Sequence, residues 1–243
     1  MFGRVLVILA SIISAPCAGA QNISGPTLQR IDRNDFCVTN GALSMLPGGR
    51  LAIDTPSSRA VIRAAAKNTT DQVAEIRFRY LGPTTNSKPL ASGELRRQIG
   101  LKLRAEDTCN LIYVMWHIEP DATVAVSIKR NAGMHTHEQC HAGGYVNLKA
   151  QRHIELPPII RSGQTHTLRA ELHVNNLTVT ADGKVAWQGT LGNELVSLDG
   201  PLGFRTDNAR FEFEYYADSA TKSLLQALRT QSKASRCVMS DGD

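Results

Sequence analysis

The sequence predicts an all-β fold, an antiparallel two-sheet jelly-roll sandwich with a short C-terminal helix. Three observations carry this. Four segments alternate apolar and polar residues with period two, the pattern of strands with one buried face. One segment is apolar almost throughout, which marks a central strand covered on both sides. Turn chemistry recurs between these segments, while helical spacing is scarce.

In chain order, residues 21–35 (QNISGPTLQRIDRND) are polar and read as a flexible leader ahead of a sandwich over 36–217. Segment 56–67 (PSSRAVIRAAAK) stays open between helix and strand, because its alanines favour one and Val61-Ile62 the other. VAEIRFRY (73–80) sets Ile76, Phe78 and Tyr80 on one face against Glu75, Arg77 and Arg79. QIGLKLRA (98–105) sets Ile99, Leu101 and Leu103 against Lys102 and Arg104. The apolar segment CNLIYVMWHI (109–118), with Trp116 in the core, should pair with TVAVSIK (123–129) across a Glu119-Pro120-Asp121 turn. TLRAELHV (167–174) sets Leu168, Ala170, Leu172 and Val174 inward, and RFEFEYY (210–216) does the same with Phe211, Phe213 and Tyr215. In LTVTADGKVAWQ (177–188) a regular two-residue Asp182-Gly183 turn would waste Trp187 on the threonine face. A three-residue Ala181-Asp182-Gly183 loop is therefore expected, with Leu177 opposite Trp187. SATKSLLQALRTQ (219–231) carries Leu224, Leu225 and Leu228 at helical spacing and reads as a helix within an appendage spanning 218–243.

The first twenty residues combine Arg4, an apolar run from Val5 to Ile13 and an A-G-A end, the layout of a signal peptide. No segment is long enough for a membrane span after its removal, so a secreted or periplasmic chain is expected. Cys17 leaves with the signal, and Cys37, Cys109, Cys140 and Cys237 remain, an even number suited to two disulfides. Three pairings are open. Cys109–Cys140 with Cys37–Cys237 is favoured because the second ties the ends of one domain together. The formal net charge is +5, with basic residues scattered among acidic ones and no basic run, so nucleic acid is not the expected partner.

The order of THTLRAELHVNNLTVTADGKVAWQG (165–189) and GPLGFRTDNARFEFEYYA (200–217) resembles the closing strands of concanavalin A-like, laminin-G-like jelly rolls. It is also similar to the bacterial secreted 3-keto-disaccharide hydrolase-type domain, formerly a domain of unknown function. The shared features are the alternating strand, the "v-DG-k-v-W" hairpin, the "GPLGFRTDN" turn and the last alternating strand. The resemblance implies a sandwich with ligand contacts on loops or on a concave sheet, and it assigns no catalytic residue. The E-x-D-x-x-E signature of jelly-roll glucanases is absent.

The stretch GMHTHEQCHAGGY (133–145) concentrates the remaining chemistry. His135 and His137 at i, i+2 would share one face of a strand, and His141, Glu138 or a free Cys140 could complete a zinc-like shell. The alternative is a loop pinned by Cys109–Cys140, with Gly143-Gly144 allowing a tight turn. Tyr145 and Asn147 could hydrogen-bond a ligand beside it, Trp187 could stack on a sugar, and Asp207 with Asn208 offers oxygens suited to calcium. No cofactor is called for, with calcium or zinc left open. Three functions follow in order: a module binding a glycan or cell-envelope polymer, a carbohydrate-acting hydrolase, and a structural envelope module.

Overall fold

The computed structural model describes residues 26–63, 71–151, 157–192 and 197–230. The signal-peptide segment 1–20, the start of the leader, residues 64–67 of the ambiguous segment, the tail after Thr230 and Cys237 lie outside them. The chain begins with β1 (Leu28–Ile31), β2 (Phe36–Asn40), β3 (Ser44–Met45), β4 (Leu51–Asp54) and β5 (Ser57–Ile62). It continues through β6 (Asp71–Pro83), β7 (Arg97–Leu103), β8 (Leu111–Glu119), β9 (Thr123–Lys129), the one-turn helix α1 (His137–Cys140) and β10 (Tyr145–Leu148). The closing elements are β11 (Thr165–His173), β12 (Asn176–Ala181), β13 (Lys184–Thr190), β14 (Gly203–Asp207), β15 (Ala209–Asp218) and α2 (Ser219–Thr230).

These strands form two antiparallel sheets. The eight-stranded sheet runs β13-β12-β11-β6-β15-β4-β3, with β1 also on β15, and the seven-stranded sheet runs β10-β9-β8-β7-β14-β5-β2. Period two fixes which side chains meet between them. Ile76, Phe78 and Tyr80 of β6 and Phe211, Phe213 and Tyr215 of β15 pack against Ile99 and Leu101 of β7 and Val114 and Trp116 of β8. Phe78 stands edge-on to Trp116 at 5.5 Å and to Phe211 at 5.8 Å, the geometry the ring quadrupoles favour.

Several expectations need correction. Residues 28–35 are not a free leader: β1 pairs with β15, and Asp35 is buried in a 3-10 turn where Arg229 of α2 reaches it. The segment left open between helix and strand resolves as strand over 57–62, pairing with both β2 and β14. The Asp182-Gly183 turn has two residues, with positive φ at both, and Ala181 opposite Lys184. A bulge then slips the register so that Trp187 faces Val179, and the tryptophan reaches the core by a route the three-residue loop does not use. Leu225 is the buried anchor of α2, whereas Leu224 faces solvent. Val174 also leaves the inward row, because the strand ends one residue earlier and Val174 sits exposed in a tight turn at φ 55°.

A β-branched residue in the left-handed region is strained, at a cost of about 1 kcal/mol or more. Val174→Asn should therefore raise the midpoint of thermal unfolding by a few degrees, read by circular dichroism; an unchanged or lower midpoint would contradict the strain.

Candidate functional site

The outer face of the seven-stranded sheet is not the wet surface expected of an alternating strand. Gln98, Lys102, Tyr113, Met115 and Asp207 all point away from the inter-sheet core, and all are buried. Register explains why they are neighbours. Asp207 lies opposite Gln98 and Ser57, Arg205 opposite Gly100 and Arg59, and Gln98 opposite His117. On the other side Tyr113 lies opposite Ser127, Ser127 opposite Asn147, and Tyr145 opposite Lys129.

Long side chains reach across this face. Tyr145 on β10 and Arg205 on β14 are separated by three strands, yet both lean over Tyr113, and the Arg205 Nη1 approaches the Tyr145 hydroxyl to 3.4 Å. The face holds a groove of about 890 Å³. Gly100 keeps its floor low: a Cβ there would stand 2.5 Å from the Met115 sulfur and 2.2 Å from the Val114 carbonyl oxygen.

Two connections wall the groove. One wall is the stretch from Lys88 to Ser92. Asn208, itself buried at φ 55°, fastens both ends of this connection: its amide nitrogen donates to the Lys88 and Arg96 carbonyls (2.8 and 3.2 Å), and its amide oxygen accepts from the Lys88 N–H (2.8 Å). Asn208 is thus a positioning residue with its side chain turned to the connection, not a ligand oxygen on the groove. The other wall is the histidine stretch, of which His137, His141 and Ala142 line the groove.

The extended reading of that stretch is overturned. Thr136-His137-Glu138-Gln139 opens a helical turn, with the Gln139 side chain accepting from the N–H groups of His135 and Thr136. His135 therefore parts from His137 and pairs its Nδ1 with Asp107 Oδ2 at 2.7 Å. His137 and His141 meet edge to face with ring centres 6.1 Å apart. Cys140 is bonded to Cys109, so it is no thiolate ligand, and among the described residues no three His, Cys, Asp or Glu side chains gather as a metal site. Cys37 is also disulfide-bonded. Of the two readings, the disulfide-pinned loop is the one the geometry supports, and two of its histidines border the groove.

The groove's polar centre is Arg205-x-Asp207. An i, i+2 pair on a strand shares a face, and here Arg205 Nε donates to Asp207 Oδ2 at 2.8 Å while Gln98 Nε2 donates to the same oxygen at 2.6 Å. Burial alone would lower the Arg205 pKa, but the Asp207 charge outweighs it and holds the guanidinium above its ordinary range. Burial likewise works against the Asp207 carboxylate, and the charges of Arg205 and Arg59 with those two hydrogen bonds keep it below the usual range. His117 sits beside this pair. Burial, reinforced by the Arg96 charge, pushes it down to about 4, so it is neutral at pH 7.

Of the residues singled out by sequence, His137, His141, Tyr145, Asn147 and Asp207 line the groove, while His135, Trp187 and Asn208 do not. Trp187 is only 3% exposed and donates from Nε1 to the Leu148 carbonyl, so it presents no free ring face. Sequence reading missed Arg59, His117, Tyr113, Lys129 and Arg205. The signal available for Arg205 was its i, i+2 spacing from Asp207.

Two outcomes follow. Asp207→Asn leaves a buried guanidinium without its counter-charge and should cost about 3 kcal/mol in urea unfolding, whereas Arg205→Met with Asp207→Leu together should cost much less. The folded state disfavours protonated His117, so the unfolded chain binds more protons between about pH 4 and 6.5 and stability rises with pH across that window. His117→Gln should shrink the difference in unfolding free energy between pH 4.5 and pH 7; a difference as large as in the parent would refute the assignment.

No family model matches the sequence, and no curated protein does. Solved structures do. A carbohydrate-binding module, CBM66 from Bacillus subtilis, is similar with a TM-score of 0.53 at 14% identity, over 76% of this chain and 96% of that one. The metal-free carbohydrate recognition domain of Emp46p is similar with a TM-score of 0.51 at 12% identity, over 76% and 88% of the two chains. At such identities the likeness speaks for fold, and with the two antiparallel sheets it gives this chain the concanavalin A-like jelly-roll architecture.

Proposed function

We propose that this chain is a secreted or periplasmic module that binds a glycan or cell-envelope polymer in the groove on its seven-stranded sheet. The observation that carries the reading is the exposed ring of Tyr145 on the groove. Tyr145 is 42% exposed and rests on the buried Tyr113 ring, with ring centres 6.0 Å apart and 21° between planes. A flat ring beside a row of hydrogen-bonding side chains, Ser127, Asn147 and Gln98, suits a pyranose with one apolar face and a hydroxylated edge. The similarity to a carbohydrate-binding module and a carbohydrate recognition domain supports the same reading. Export rests on the leader-like residues 1–20 and is supported by the Cys109–Cys140 disulfide. Among the described residues no helix is long and apolar enough to cross a membrane.

A hydrolase of the 3-keto-disaccharide type is favoured less. Acid–base hydrolysis asks for two groups poised to exchange protons across a bond. The carboxylate among the described lining residues is Asp207, locked to Arg205 and held ionised. A purely structural module would have no use for a groove of this size.

Affinity electrophoresis of the chain through gels containing plant, algal and bacterial polysaccharides tests the proposal. At least one polymer should retard it, and Tyr145→Ala should weaken that retardation about tenfold while leaving the fold intact, since the ring is largely exposed. No retardation by any polymer would overturn the reading.

A further inference from the structure

The two outer faces of the sandwich handle charge in opposite ways. On the eight-stranded sheet most outward arginines meet a glutamate: Arg77 and Arg169 reach Glu75, Arg79 and, from the turn before β4, Arg50 reach Glu212, and Arg30 reaches Glu214, while Arg210 donates to the Leu81 carbonyl. That face is close to neutral. The groove is not. Arg59, Lys88, Arg96, Lys129 and Arg205 line it against Asp207, and counting Glu94, which pairs with Arg96 behind the wall, still leaves a clear positive excess.

The excess is arranged around the tyrosine pair. Lys129 Nζ stands 5.4 Å from the Tyr145 ring centre, and the Arg205 guanidinium stands 5.2 Å from that of Tyr113. Arg59 lies directly across from Arg205 in the register. A sugar ring seated against the exposed Tyr145 would therefore lie near Lys129 and Arg205, within a groove whose partial desolvation strengthens their field.

We infer that the glycan taken by this groove is acidic, carrying carboxylate or sulfate groups on its sugars. The inference rests on the glycan-binding reading and names its ligand class. The charges are fixed by residue type, so they persist whichever internal contacts each cation makes.

The test pairs each acidic polymer with its neutral counterpart: polygalacturonate with its methyl ester, and dextran sulfate with dextran, titrated calorimetrically against the full chain. At least one acidic member should bind about tenfold or more tightly than its counterpart. Its affinity should fall about tenfold between roughly 0.1 M and 1 M NaCl, as screening shortens from about 10 Å to 3 Å. Lys88→Gln, a surface change on the groove wall, should weaken acidic binding severalfold, whereas Arg79→Gln on the opposite sheet should not. The two pairs distinguish a carboxylate from a sulfate preference. Equal affinity for a neutral counterpart would overturn the acidic inference and leave glycan binding standing. Inorganic polyphosphate binding as tightly as the acidic glycan would also overturn it, since the face would then be a general cationic surface. Failure of every polysaccharide to bind would sink both.

Discussion

The spacing of the two sheets is set by aromatic rings that meet edge to face between them, and the groove inherits its shape from that seam. Phe36, Phe204 and Phe213 interlock at one end, with Tyr215 against Phe36; Phe78, Trp116 and Phe211 interlock at the other. These residues arrive from β2, β6, β8, β14 and β15, so the seam ties together strands distant in sequence. Because a strand sends alternate residues to opposite faces, committing Phe204 and Trp116 to the seam obliges Arg205 and His117 to point outward. The recognition face is in this sense the complement of the core. A one-residue slip in β14 would exchange Phe204 for Arg205 and destroy both.

The inward half of this arrangement was legible in the sequence. The four alternating segments are strands, the apolar segment is a central strand with neighbours on both sides, and the C-terminal helix forms over nearly its expected span. The outward half was not. Lys102 and Arg104 read as the polar face of an alternating strand, yet both are buried. The two connections that wall the groove are fastened over long sequence distances: Asn208 holds Lys88, and Asn131 donates to the Cys109 carbonyl. Local periodicity carries no trace of such contacts.

Local signals misread were of another kind. The cap Thr136-x-x-Gln139 was present in the histidine stretch, and it outranks the i, i+2 spacing that suggested a strand. In the hairpin the Asp182-Gly183 pair did specify a two-residue turn, and the burial of Trp187 was met by a bulge rather than by a longer loop. Sequence named the demand correctly and the device wrongly.

Both walls of the groove are anchored before anything enters it, one by the Cys109–Cys140 bond and the other by the three hydrogen bonds of the Asn208 amide. An incoming chain then meets edges already at their final separation, and the conformational entropy of ordering those loops has been lost during folding, not at the encounter. The groove should accordingly behave as a rigid template, with selectivity arising from which polymer conformers fit it and not from closure around whatever arrives.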